Sequence, residues 1–506
     1  MLWDLVTERI LGMGLPSLLL GVGTLYLVAL GAFPYLHPLR TLRVGFKGKP
    51  RSALRALSVA LGGTLGVGNI TGVALALSAG GAGALFWMWV SAAVAMFLKY
   101  GEVVLSLVSR KKGADGSWEG GAMYYLKGRG GFWGKGIAAA FAVLCLLCAL
   151  TLGAPIQSNA AAVGAREVLG ISPPVIGVLL FFLTALAVFG GIRKIADFTE
   201  KIVPLMSVVY LFLSLYAILT HLSALDDVLS RVFREAFSFR SGAAGMIGFL
   251  SSRALRYGVT RGLLSNEAGA GTAPMAHAIA ENSPAAQGVM GILEVAIDTF
   301  VFCTATALPL LIAYPAGFPE ASGVGLVTGA FSLLVGKIAP PLLCVSLFLF
   351  AYATVLAWCY YGKRAIGYLT ASPMAAKIYL YLYVLAVGGG AFLAEGVLWE
   401  LTDAVISLLT MLHTACLLPL LPVVLRESRK EGLIGDGILL RWQRKGERLK
   451  RCEKIAWKRG KDAQSVAACG MQEGKTGGVQ KGARKTVTLT PIKAVPKERM
   501  TDRRKV

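Results

Sequence analysis

Long, mostly apolar runs recur along the whole chain, most of them long enough to cross a bilayer. A helix crossing the hydrocarbon core needs about 20 mostly apolar residues. Reading the runs between charged or turn-rich breaks gives eleven, near 11–34, 56–80, 84–108, 133–163, 174–191, 197–220, 240–258, 286–313, 326–360, 377–394 and 402–425. The ninth is long enough to hold a short extra helix before Pro340-Pro341. Only 16% of the residues are charged and 55% are hydrophobic, with a mean hydropathy of +0.64. A soluble protein carries about 25% charged residues. No polar block of domain size is present, which excludes a single span anchoring a soluble domain. The expectation is an all-α polytopic membrane protein. The N-terminus lacks a basic stretch followed by a cleavage site, so no removable signal peptide is expected.

Charge orients these runs. Arg40, Arg43, Lys47, Lys49, Arg51 and Arg55 follow the first, and Arg110-Lys111-Lys112 the third. Arg193-Lys194 follow the fifth, Arg261 the seventh and Lys363-Arg364 the ninth. The even connectors carry acids instead: Asp226-Asp227, Glu320, Glu395 and Glu400. The positive-inside rule then places the N-terminus outside and the C-terminus in the cytoplasm. Residues 426–506 hold 23 Lys/Arg and 9 Asp/Glu, which is +14 of the chain's +23. They are expected to form a basic, mostly disordered cytoplasmic tail after a transmembrane domain at 1–425. Such a tail suits anionic lipid headgroups, and no nucleic-acid partner is expected. Cys145 and Cys148 form a CxxC, but no second pair or neighbouring His completes a metal set, so they read as small packing residues.

The run at 66–81, GVGNITGVALALSAGG, is the least helical of all, with five glycines, Asn69 and Thr71 in sixteen residues. Glycine costs a helix about 1 kcal/mol relative to Ala, and lipid cannot bond a buried Asn or Thr. Five runs later, 240–258 is also interrupted, by Gly242, Gly245 and Gly248. The two segments run in opposite senses through the bilayer, the pattern of an inverted-repeat transporter. Amides freed at a half-helix N-terminus suit a carboxylate, and freed carbonyls suit a cation. Substrate and ion are therefore expected at these glycines, Asn69 and Thr71. Close helix packing competes, since Gly62 and Gly66 form a GxxxG. It accounts for Gly80, Gly81 and Gly83, and poorly for Asn69 and Thr71.

At these residues the chain resembles a known family. GNITGVALALSAGGAGALFWMWVSA with KYGEVVLSLVSR (99–110) is similar to the alanine/glycine:cation symporters, also called sodium:alanine symporters or amino acid carrier proteins. Further blocks agree: DGSWEGGAMYYLKGRG (115–130), QSNAAA (157–162), GGIRKIADFTEKIVPLM (190–206), GVTRGLLSNEAGAGTAPMAHAIA (258–280), QGVMGILEVAIDTFVFCTAT (287–306) and YYG (360–362). The resemblance covers about 10–425 in family order. It implies a leucine-transporter-like five-plus-five inverted repeat with one extra N-terminal span. It also implies sodium-coupled symport of small neutral amino acids, chiefly alanine and glycine, into the cell across the plasma membrane. A monomer with sodium as coupling ion and no other cofactor is expected. Proton coupling, or facilitated passage of another small amino acid, is the alternative on the same fold.

The resemblance also assigns residues. Thr71 and Gly72 would hold the substrate carboxylate, and a bulky residue at Gly72 would clash with it. Gln157 would reach the site from span four, Gly245 and Met246 would face the amine and side chain, and Trp358 would wall the pocket. Gly68, Asn69 and Thr354 would take sodium. Each has a plainer reading: an interhelical bond for Gln157, an interfacial anchor for Trp358, a bond to its own helix for Thr354. Glu267, near Arg261, reads as a gate or structural ion pair first and an ion ligand second, and Asp298 as functional or structural. Ala82, Ala122, Ala353 and Lys363 depart from the family pattern, as does MLHTA at 411–415. Ala353 leaves Thr354 without the adjacent hydroxyl the family commonly has.

An enzyme finds no support. His37, His221, His277 and His413 are dispersed, and HExxH, GxSxG and P-loop motifs are absent. A reporter fused after residue 430 is expected to read as cytoplasmic; an external readout overturns the orientation.

Overall fold

A computed structural model describes residues 13–435 except 114–115, 130, 190–191, 238–251 and 322. These residues are almost entirely helical, with one two-residue hairpin pairing Lys111–Lys112 with Trp118–Glu119. Proline sets many of the helix starts: Pro50, Pro155, Pro173, Pro284 and Pro373 each open a helix, where a missing N–H costs nothing. Ser283 and Ser372 cap two of them by accepting from the amides of Ala286 and Ala375.

By length and apolar character, six helices among the described residues can cross a membrane: Gly83–Ser109, Trp133–Leu169, Lys201–Leu219, Pro284–Ala313, Ala339–Leu369 and Gly396–Lys430. A seventh is the bent pair Pro50–Thr64 and Gly68–Gly80. Leu15–Ala29, Pro173–Phe189 and Gly323–Val335 are apolar but shorter. The long run 326–360 is two helices, parted at Gly336, whose φ of +96° a side chain would strain. The run 133–163 is interrupted at 152–154, just before Pro155. The amphipathic helices Pro38–Gly45 and Leu225–Ala236 were not expected, because they are too polar to read as apolar runs. The expected break at Gly242, Gly245 and Gly248 lies outside the described residues; the helix that follows, Arg253–Asn266, runs eight residues beyond the expected end at 258.

Two helices organise the packing. In Gly83–Ser109 and Ala339–Leu369, 78% of the apolar window is buried, against 33% in Lys201–Leu219, which therefore turns most of its surface outward. Gly83–Ser109 packs on Arg253–Asn266 and Pro284–Val295. Small residues permit this closeness: a Cβ at Gly258 would come within 2.4 Å of the Ala84 carbonyl, and one at Gly288 within 2.8 Å of the Tyr100 ring. Ala339–Leu369 packs on Pro50–Thr64, Gly131–Thr151, Pro155–Leu169 and Ile192–Leu219. Exposed Leu186, Val208, Phe212 and Leu382 give the outer helices the apolar face a lipid environment requires.

The interior is not uniformly apolar. Lys99 and Glu294 are fully buried and 3.2 Å apart. His277 Nε2 lies 2.9 Å from the other Glu294 oxygen, and its Nδ1 accepts from the Gln287 amide at 2.8 Å. This chain of bonds ties the Gly83–Ser109 helix to Pro284–Val295 around a charge pair that neither element could bury alone.

Candidate functional site

Leu65, with ψ of 87°, leaves the helical region at the end of Pro50–Thr64, and a π turn resumes at Gly68–Gly72. The chain bends by 57° between the two halves. The backbone groups released by the break find side chains. The Gly66 amide donates to Asn69 Oδ1 at 3.1 Å, and the Val67 amide to Gln157 Oε1 at 3.2 Å. Gln157 is fixed in turn, its amide donating to the Leu152 carbonyl. On the other side of the break, Thr354 Oγ1 donates toward the carbonyls of Gly62 at 3.2 Å and Leu65 at 3.4 Å. Thr354 thus bonds across to the broken helix rather than to its own.

Asn69 points the other way. Its Nδ2 donates to Asp298 Oδ1 and to Ser265 Oγ, both at 2.7 Å. Ser265 and Thr299 hydroxyls complete the Asp298 carboxylate through Oδ2, at 2.8 and 3.0 Å. Asp298 sits in a π-helical stretch, Ala296–Cys303, and Thr306, two turns on, donates to the Asn69 carbonyl at 2.7 Å. Four helices therefore converge on one broken segment through polar side chains: those of Gln157, Thr354, Ser265, and Asp298 with Thr306. Asn69 and Thr354, expected as joint sodium ligands, flank Gly66 in two separate groups. Gly68 is packed on the backbone of Ser265.

Thr71 is fully buried, and its hydroxyl has no hydrogen-bond partner among the described residues. A polar group buried this way costs about 1–3 kcal/mol unless something bonds it. Beside it, Gly72 is open: a Cβ there would meet nothing nearer than the Trp399 ring at 3.9 Å. Gly72 thus has room for a first side-chain carbon among the protein atoms round it. The crowded glycine is Gly66, where a Cβ would lie 2.5 Å from Thr354 Oγ1 and 3.1 Å from Gln157 Oε1.

Trp358 is in the interior of its helix and fully buried, so it is not an interfacial anchor. Its indole N–H donates to Glu267 Oε1 at 3.0 Å, and Thr272 donates to Glu267 Oε2 at 2.5 Å. Glu267 follows the Arg253–Asn266 helix in a left-handed conformation, φ 52°. It is not paired with Arg261, as its nearness in sequence suggested. Arg261 makes a two-pronged ion pair with Asp403, both contacts at 2.9 Å, and its guanidinium lies 4.7 Å over the Trp399 ring. Gly245 and Met246 lie outside the described residues. Sequence reasoning passed over Ser265, Thr306, Trp399 and Asp403. Asp403 carried a usable signal, being an acid inside the run 402–425; the others read as ordinary helix residues.

The profile of the sodium:alanine symporter family matches residues 2–430. Among curated relatives, the Sodium/alanine symporter AgcS of Methanococcus maripaludis is 34% identical over 81% of this chain and 92% of its own length. The Amino-acid carrier protein AlsT of Bacillus subtilis is 31% identical over 82% and 90%. An uncharacterized transporter of Haemophilus influenzae is 34% identical over 82% and 93%. A solved manganese transporter of Eremococcus coleocola aligns at a TM-score of 0.47 and 16% identity over 74% of this chain and 79% of that one, too distant to bear on the site. These matches make the chain a membrane transporter, and it belongs to the sodium:alanine symporter family.

Crowding at the break can be tested directly. Gly66→Ala is expected to lower stability by about 1–3 kcal/mol through overpacking. Gly72→Ala is expected to leave it unchanged or slightly raised, since Ala is the better helix former. Heat-induced unfolding of both variants in detergent checks this; equal losses would contradict the placement of the two glycines.

Proposed function

We propose that this chain is a sodium-coupled symporter of small neutral amino acids, alanine and glycine foremost, working by alternating access. The observation that carries the reading is the buried, unpartnered Thr71 hydroxyl at the break of a helix that polar side chains hold open. A substrate carboxylate there takes the Thr71 hydroxyl and competes with Gln157 Oε1 for the Val67 amide. A carboxylate is the stronger acceptor of the two, because charge-assisted bonds exceed neutral ones. Trp358, held by Glu267, limits the size of the substrate side chain.

Sodium goes to Thr354 Oγ1 with the Gly62 and Leu65 carbonyls, an oxygen set suited to a hard cation. Asn69 and Gly68 belong to the other face of the break, and Asn69 acts on the ion through the backbone geometry it imposes. The architecture we assign is eleven spans in a five-plus-five inverted repeat with one added N-terminal span. In it the N-terminus is outside, the C-terminus is cytoplasmic and the working unit is a monomer in the plasma membrane. The names of the relatives, a sodium/alanine symporter and an amino-acid carrier, agree with this reading.

The test is uptake of labelled alanine into liposomes under an imposed sodium gradient, a proton gradient or neither. Uptake is expected to require sodium; equal uptake without any gradient makes the protein a facilitator. Thr354→Ala is expected to raise the sodium concentration for half-maximal uptake by about tenfold, or about 1.4 kcal/mol. The alanine concentration for half-maximal uptake at saturating sodium should change far less. Unaltered sodium dependence places the ion elsewhere.

A further inference from the structure

Three glutamates are buried near Lys99, and they are not treated alike. Glu294 bonds Lys99 at 3.2 Å and His277 at 2.9 Å. Glu267 accepts from Trp358 and Thr272. Glu102, fully buried on the Gly83–Ser109 helix, has only a share of the Lys99 charge and the amides of Gly269 and Gly271 turned toward it. Among the described residues no hydrogen bond of normal geometry reaches either of its carboxylate oxygens.

Its surroundings supply no spare positive charge. Lys99, one turn before it on the same helix, faces Glu102 and Glu267 as well as Glu294, but its hydrogen bond goes to Glu294. From the Glu395–Leu417 helix, His413 Nδ1 lies 3.5 Å from Glu102 Oε1. That ring is committed elsewhere: Nδ1 bonds the Gly269 carbonyl at 2.7 Å, and Nε2 bonds the Tyr125 hydroxyl at 2.6 Å. A neutral imidazole with its proton on Nδ1 satisfies both bonds and lends Glu102 no charge. Tyr26, from the Leu15–Ala29 helix, also faces Glu102, but its hydroxyl donates to the Leu417 carbonyl at 2.7 Å. From the Pro284–Val295 helix comes another acid, Glu294 itself, and from the loop after Asn266 only the amides of Gly269 and Gly271. An ionised carboxylate buried without well-formed hydrogen bonds or a counter-charge of its own costs several kcal/mol.

We propose that Glu102 is a proton-binding site: its carboxylate takes one proton from water and is held as the neutral acid while these helices are closed round it. The proton leaves to water when they part. No other reactant is needed, since the exchange is one proton in and one out. The position couples this event to transport. The loop carrying Gly269 and Gly271 begins at Glu267, the residue that holds Trp358, so a movement of Trp358 is passed to the packing round Glu102. That coupling rests on the transport reading above; the proton itself does not.

Infrared difference spectroscopy of the full chain against Glu102→Gln, in lipid nanodiscs, reads the site directly. The wild type is expected to show the carbonyl stretch of a protonated carboxylic acid, sensitive to deuterium exchange, which the variant loses. A difference spectrum containing only ionised carboxylate bands overturns the proposal. If Glu102→Gln does not fold, Glu102→Asp serves, where the acid band should shift; an unshifted band has the same negative force. Alanine added with sodium in weak buffer, beside a pH indicator dye, tests the coupling separately. Proton release in the wild type, lost in Glu102→Gln, supports it. An acid band with no release leaves the proton site standing and counts against its tie to transport.

Discussion

A helix broken inside a membrane survives only if something replaces the backbone bonds that the break removes, because lipid offers none. In this protein Asn69 and Gln157 replace them. Asn69 Oδ1 takes the Gly66 amide and Gln157 Oε1 the Val67 amide, while Thr354 and Thr306 serve carbonyls of the same segment. Each of these side chains comes from, or is held by, a different helix. The break is therefore a junction as well as a weak point. The helices that stabilise it are placed round a short, buried length of peptide whose backbone groups are bonded by side chains.

The same requirement organises the second layer. Asn69 can cap Gly66 because Asp298 and Ser265 hold its amide group, and Asp298 can be buried because Asn69, Ser265 and Thr299 donate to it. Trp358 keeps its position through Glu267, which is itself held by Thr272. Such mutually satisfied networks fix one arrangement strongly, since losing any member strands the others in a low-dielectric interior. The Thr71 hydroxyl and the Glu102 carboxylate, both fully buried beside these networks, lack such partners among the described residues.

Much of this was legible in the sequence, and what was not has physical reasons. The break at 65–72 follows from glycine spacing, and the buried role of Asn69 follows from an amide in an apolar run. The partner of Asn69 does not, because Asp298 is 229 residues away and only the fold brings them together. Glu267 was matched with Arg261 on nearness in sequence. The left-handed turn at Glu267 sends its side chain to Trp358, leaving Arg261 to Asp403. Gly72 was singled out as a place where backbone approaches a ligand; the tight packing among protein atoms, at Gly66, gave no sign in the sequence. The amphipathic helices Pro38–Gly45 and Leu225–Ala236 escaped notice because a search for apolar runs cannot detect them.

The central claim is that Thr71 faces the substrate at the break. Placing a single thiol there, Thr71→Cys in a chain cleared of its eight native cysteines, and following its reaction with a small hydrophilic thiosulfonate tests it most directly. The account predicts that the thiol reacts and that alanine with sodium slows the reaction at least severalfold, while a large amino acid does not. Reaction at an unchanged rate in saturating alanine and sodium would contradict it.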